Sequence, residues 1–151
     1  MADTTTCENA VYAYACTVNG GVVAHGVKKI RGIVPDSCYS EMKGSTFASE
    51  YVEIARNALA VLGTPVDEPT IIGTDNSAHL AISMGTANPS RVKPNLGKWE
   101  PLKDRIRRKI CKLAKVATAV MPVDFMTKWI KYEKMKEQLA YLINSRHAVW
   151  P

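Results

Sequence analysis

Three carboxylates stand where a folded chain can gather side chains from distant positions. Asp75 closes the stretch Thr70-Ile71-Ile72-Gly73-Thr74-Asp75 and is followed by Asn76-Ser77-Ala78-His79-Leu80-Ala81-Ile82. The β-branched residues predict a short buried strand, and the run from Ala78 predicts a helix beginning as the strand stops. A carboxylate at the C-terminal end of a buried strand is held rigidly and half out of water, which suits it to grip a divalent cation. The plainer use of these residues is capping, since Asp, Asn and Ser are good N-caps. Glu41 falls in the first turns of another predicted helix, where its plain role is to favour the positive helix end. Asp124 opens a third. Strand ends and helix starts can bring such groups to one corner, although periodicity alone does not show convergence. Clustered carboxylates repel one another and lower that cost by binding a divalent ion. Two ions about 3.5–4 Å apart support hydrolysis of a phosphodiester.

The charge balance points toward a polyanion. The net charge is +6, and between Lys98 and Lys115 eight Lys or Arg (Lys98, Lys103, Arg105, Arg107, Arg108, Lys109, Lys112, Lys115) face only Glu100 and Asp104. Nucleic acid is the first partner such a run suggests, and a solvated helix face is its other use. Lys103, Arg105, Arg107, Arg108, Lys109 and Lys112 are the candidate phosphate-binding residues. With 151 residues, 46% of them hydrophobic, the chain supports one core. The expected layout is a domain over 10–143 between tails at 1–9 and 144–151. No apolar run of about 18 residues is present, so no membrane span is expected. The first residues lack the basic and apolar parts of a signal peptide. Cys7, Cys16, Cys38 and Cys111 have no zinc spacing and read as reduced thiols of an intracellular protein, cytoplasmic or nuclear.

The elements that must position these groups follow from pattern. Val11, Tyr12, Tyr14 and Cys16 lead to Asn19-Gly20-Gly21, a strong hairpin signal, and Val22, Val23 and Val27 continue the return strand. Ile33-Val34 reads as a third short strand, stopped by Pro35. His25 reads as a surface or half-buried residue. Asp36-Ser37 caps a long helix reaching about Leu62, with Phe47, Tyr51, Ile54, Ala58 and Leu62 on one face and Gly63 at its end. After the Asp75 strand comes a helix over 77–84, then a loop rich in turn formers. Leu102, Ile106 and Ile110 predict an amphipathic basic helix. Residues 112–118 fit a strand or a continuation of that helix. A last helix is expected from Pro122, carrying Phe125, Trp129, Tyr132, Met135, Leu139 and Leu142. The order predicts an α/β layer protein with a mixed sheet.

At three motifs the chain resembles the ribonuclease H domain that closes copia-type retrotransposon polyproteins. The hairpin Asn19-Gly20-Gly21 precedes the Lys28-Lys29 pair. Asp36-Ser37-Cys38-Tyr39-Ser40-Glu41 stands where the family has "SSTEAE", whose last Glu is a metal ligand. Asp75-Asn76-Ser77-Ala78 matches "DN(Q/S)SA", and Val123-Asp124-Phe125-Met126-Thr127-Lys128 matches "ADxxTK". The resemblance spans roughly residues 10–143. It implies a ribonuclease H-like fold and Glu41, Asp75 and Asp124 as metal-binding catalytic residues. It also implies Mg2+ or Mn2+ as cofactor (two ions in a complete site), an RNA/DNA hybrid as substrate, and a reverse transcriptase domain as a possible partner. The basic helix from Lys103 to Lys115 would then lie along the hybrid's phosphates.

The sequence also departs from that pattern. The family's first strand carries a further metal-binding Asp upstream of the hairpin, and only Met1 to Asn9 stands there, so that strand is expected to be missing. If Val11 to Thr17 is taken as the first strand instead, Ala15 or Cys16 occupies the place of the Asp. Pro94 follows Lys93 where the family has His, and Tyr39 replaces the first Glu of its motif. The resulting expectation is weak or absent cleavage, with a noncatalytic nucleic-acid-binding remnant as the alternative and a domesticated interaction domain as a third reading.

Overall fold

The computed structural model describes residues 10–31, 34, 36–86, 97, 99–118 and 121–143. Strands β1 (Val11–Val18) and β2 (Gly21–Lys29) pair antiparallel, with Val11 opposite Lys29 and Val18 opposite Gly21. The turn between them works because Asn19 and Gly20 both take positive φ, 49° and 77°, the left-handed pair that a two-residue hairpin needs.

Helix α1 (Ser37–Val61) starts where Asp36 accepts a hydrogen bond from the Tyr39 backbone N–H at 2.8 Å. It ends at Leu62, before Gly63 at φ 79°. Its buried face includes small residues, Gly44, Ser45, Ala48 and Ser49, which let strands come close. An ideal Cβ on Gly44 would lie 3.4 Å from the Ala13 carbonyl. Phe47 and Tyr51 do face inward, packing with Tyr12 and Tyr14 at centroid separations of 5.1–5.9 Å. The rest of the expected face does not: Ile54 and Leu62 are 63% and 76% exposed, and Ala58 is exposed too. Beyond Val52 the helix overhangs, and there Arg56 ties down the incoming chain through the Val66 and Glu68 carbonyls and the Thr70 hydroxyl.

Strand β3 (Thr70–Thr74), helices α2 (Ser77–Ser83) and α3 (Glu100–Arg107) and strand β4 (Cys111–Lys115) follow. β3 and β4 are parallel, with Thr70 opposite Cys111 and Thr74 opposite Lys115. Burial of the Asp75 strand is one-sided, since Ile72 is buried and Ile71 is 61% exposed. Gly73 is required by closeness: an added Cβ would meet Val116 Cγ2 at 2.6 Å. Trp99 and Leu102, each 1% exposed, anchor α3, which begins with Pro101 in its first turn.

The class is mixed α/β, with one correction to the expected sheet. Among the described residues the strands make two two-stranded sheets, β1–β2 and β3–β4, both resting on α1. Val34 belongs to no strand, and Ile33 lies outside the described residues. The basic helix is also shorter than expected: it stops at Arg107, Lys109 turns the chain at φ 57°, and β4 takes over. The last helix is split. Asp124–Met126 is one 3-10 turn, and α4 runs only from Tyr132 to Leu142. Its expected apolar face is largely in water, with Tyr132 66% and Leu139 39% exposed and Trp129 fully exposed ahead of it. Gln138 is buried instead, because its Oε1 accepts the Phe125 backbone N–H at 3.1 Å. The expected tails, Trp150 and the Lys93-Pro94 step lie outside the described residues. No described helix is long and apolar enough to cross a membrane.

Candidate functional site

Direction along α1 explains how the acidic corner forms. β1 runs with the helix, since Tyr12 and Ala13 lie at Gly44 while the Cys16 thiol reaches the Ala48 carbonyl. β3 runs against it, since Thr70 meets Arg56 and Thr74 meets Glu41. The C-terminal end of β3 therefore arrives at the first turns of α1, carrying Asp75 to Glu41.

The contacts there are specific. Thr74 Oγ1 donates to Glu41 Oε2 at 3.2 Å, and Asn76 Nδ2 donates to Glu41 Oε1 at 3.2 Å. Asn76 also caps α2, accepting the His79 N–H at 3.0 Å. Burial raises the Glu41 pKa, and the neighbouring Asp75 carboxylate raises it further against the lowering effect of the Asn76 and Thr74 hydrogen bonds. Behind them His79 is wholly buried, its Nδ1 lying 3.3 Å from Thr74 Oγ1. Because the Thr74 hydroxyl gives its proton to Glu41, the His79 contact requires the proton on Nδ1. Burial depresses the His79 pKa to about 4, so the ring is neutral at pH 7.

Asp124, 6% exposed, lines the same cavity as Glu41 and Asp75. Its carboxylate is held by Lys128 Nζ at 3.0 Å and Lys134 Nζ at 3.9 Å. Burial opposes the Lys128 charge, but Asp124, then Asp75 and Glu41, outweigh it and raise its pKa. One ammonium thus feels all three carboxylates. Lys115, beside Thr74 in the sheet, donates to the Asp75 carbonyl and to Ser77 Oγ, the latter at 2.8 Å.

Glu41 and Asp75 are neighbours, then, while Asp124 joins them through Lys128. No group of three His, Cys, Asp or Glu close enough to hold a metal occurs among the described residues. The donors do fit one hard cation. Two adjoining carboxylates are the usual protein share of a Mg2+ site that keeps several waters.

No protein-family model, curated protein or solved structure matches the chain.

The candidate phosphate-binding residues sit elsewhere and are mostly engaged. Arg105 Nε binds Glu53 at 2.8 Å with its side chain only 16% exposed, and Arg108 binds Glu53 at 3.0 Å. The pair holds the Glu53 carboxyl below its ordinary pKa, Arg105 contributing most. Arg107 pairs with Glu100 and Asp104, and Lys103 with Glu100. Lys109 and Lys112 are exposed and make no ion pair among the described residues. Lys109 and Lys112 lie toward the Cys111 end of β4, about 10 Å or more of strand from Lys115, whereas Lys103 is one helical turn from Trp99, which stacks on His79. The cations beside the acidic corner are Lys115, Lys128 and Lys134. In the sequence Lys115 stood only as the end of the basic run and Lys128 only in the Thr127-Lys128 step, neither as a neighbour of the carboxylates; nothing marked Lys134.

Proposed function

We propose that this chain is a retroelement-derived ribonuclease H-like domain that binds RNA/DNA hybrids and hydrolyses the RNA strand weakly, with Mg2+ or Mn2+. The observation that carries this reading is the arrival of Glu41, Asp75 and Asp124 at one cavity from the start of α1, the end of β3 and the 3-10 turn. A divalent ion there would activate water and steady the charge on the leaving 3′ oxygen. Glu41 and Asp75 would hold it, and Thr74 and Asn76 fix the Glu41 carboxylate through its two oxygens. Lys115, Lys128 and Lys134 would draw phosphates to the corner, with Lys109 and Lys112 farther along the strand. Among the described residues no third carboxylate adjoins Glu41 and Asp75 to hold a second ion, and low activity is expected for that reason.

One observation favours a noncatalytic hybrid binder: Lys128 already stands among the three carboxylates as their counter-charge. Cleavage of a labelled hybrid in Mg2+ and then Mn2+, beside Asp75→Asn, tests the choice. The proposal expects slow cleavage of the RNA strand that Asp75→Asn abolishes. Salt-sensitive binding without cleavage in either metal would establish the noncatalytic reading, and no hybrid binding at low salt would remove both.

A further inference from the structure

Behind the acidic corner a chain of hydrogen bonds runs inward from Glu41. The Thr74 hydroxyl, in a residue only 3% exposed, meets three partners. These are Glu41 Oε2 at 3.2 Å, the Asn76 backbone N–H at 3.3 Å and His79 Nδ1 at 3.3 Å. A hydroxyl has one hydrogen to give and two lone pairs to receive. The Asn76 N–H can only donate, so it fills one lone pair. With a proton on Nδ1, His79 fills the other, and the hydroxyl hydrogen has Glu41 as its single remaining acceptor. With Nδ1 bare, the ring would compete with Glu41 for that hydrogen.

We infer that His79 is a positioning residue for the metal site: its Nδ1–H locks the Thr74 hydroxyl onto Glu41 Oε2 and so holds the carboxylate in place beside Asp75. This role rests on the reading of Glu41 and Asp75 as holders of a divalent ion. Both carboxylate oxygens are then gripped from one turn. Asn76 Nδ2 holds Oε1 at 3.2 Å while its Oδ1 accepts the His79 N–H at 3.0 Å, and Thr74 backed by His79 holds Oε2. A ligand whose orientation is set by such outer hydrogen bonds binds its ion more tightly, and removing one of them costs about 10- to 100-fold in affinity.

The surroundings of the ring fit this task. His79 is wholly buried and stacks on Trp99, itself 1% exposed, with centroids 6.5 Å apart and planes 18° from parallel. That contact sets the plane of the imidazole and the direction in which Nδ1 points. Burial pushes its pKa down to about 4, so at pH 7 the ring has one hydrogen to place. Its Nε2 is buried with no hydrogen-bond partner among the described residues. A site that needed only bulk would be served by leucine, without an unpaired buried nitrogen. The polar function of the ring is therefore all at Nδ1.

The test uses the full chain and two readouts. In EDTA at pH 7, nitrogen-15 shifts of the His79 ring report the tautomer, and Nδ1–H is expected. Mn2+ affinity is then measured by electron paramagnetic resonance of the free ion. His79→Leu and Thr74→Val should each weaken Mn2+ binding about tenfold. The double variant should bind no more weakly than either single one, because both break the same chain. His79→Asn, whose amide N–H can stand in for Nδ1–H, should stay within about threefold of the parent. The Nε2–H tautomer, parental affinity in His79→Leu, additive losses in the double variant, or equal weakness of His79→Asn and His79→Leu would each overturn the inference. Should His79→Leu not fold, parental affinity in Thr74→Val, which keeps the shape of the residue, overturns it as well. A parent chain that binds no Mn2+ overturns the divalent-ion reading and this role with it, whereas the other failures leave that reading standing.

Discussion

The side-chain amide of Asn76 spans two elements: its oxygen caps α2 on the His79 N–H, and its nitrogen holds Glu41 Oε1 at 3.2 Å. One residue therefore both starts a helix and stabilises the ionised form of an acid 35 positions away. Asn76→Ala should cost about 1 kcal/mol through the lost cap. It should also push the Glu41 pKa higher, because a hydrogen bond that favours the carboxylate is gone. Chemical denaturation and an NMR titration of the Glu41 carboxyl in EDTA check the two effects separately.

Glu41 titration has a definite sign. Its folded pKa lies above the unfolded value, so its contribution is full below about pH 4.5 and is lost as pH rises through the raised value. Glu41→Gln should therefore raise the melting temperature at pH 7 in EDTA and bring no gain at pH 4. A divalent ion should raise the parent's melting temperature and leave that of Glu41→Gln nearly unchanged.

His79 acts in the opposite direction. Its folded pKa of about 4 lies below the ordinary 6.5, so the unfolded chain binds the extra proton between those values. Its contribution is full above pH 6.5 and falls away toward pH 4, in total about 3 kcal/mol. His79→Leu should flatten that slope in urea denaturation series run across the window.

Arg105 and Arg107 should separate a structural from a surface arginine. Arg105→Ala strips Glu53 of its main partner and Ser49 of a 3.4 Å contact, and should cost about 2 kcal/mol. Arg107→Ala removes exposed pairs and should stay within about 0.5 kcal/mol. If hybrid is bound as proposed, Lys109→Ala and Lys112→Ala should each lower the salt slope by about one.

Local signals were legible in the sequence because each has a short-range cause. Asn19-Gly20 set the hairpin, Asp36 and Asn76 capped their helices, and Gly63 marked an end. What escaped depends on partners distant along the chain. The long helix turned its small residues inward because strands press on Gly44 and Ala48, which a search for large apolar residues does not find. Trp129 and Tyr132 read as one buried face, but Gln138 is buried in place of that face through its bond to the Phe125 N–H. The acidic corner was named from three motifs, whereas Lys128 as its counter-charge and Arg105 as the partner of Glu53 required the fold.

The most direct measurement is Mn2+ titration of the isotope-labelled chain, read as paramagnetic broadening of amide signals. The account predicts broadening first at Glu41 and at Thr74 to Asn76, then at Asp124, with loss of the effect in Asp75→Asn and competition by Mg2+. Broadening spread over surface acids such as Glu100 and Asp104, unchanged by Asp75→Asn, would contradict it.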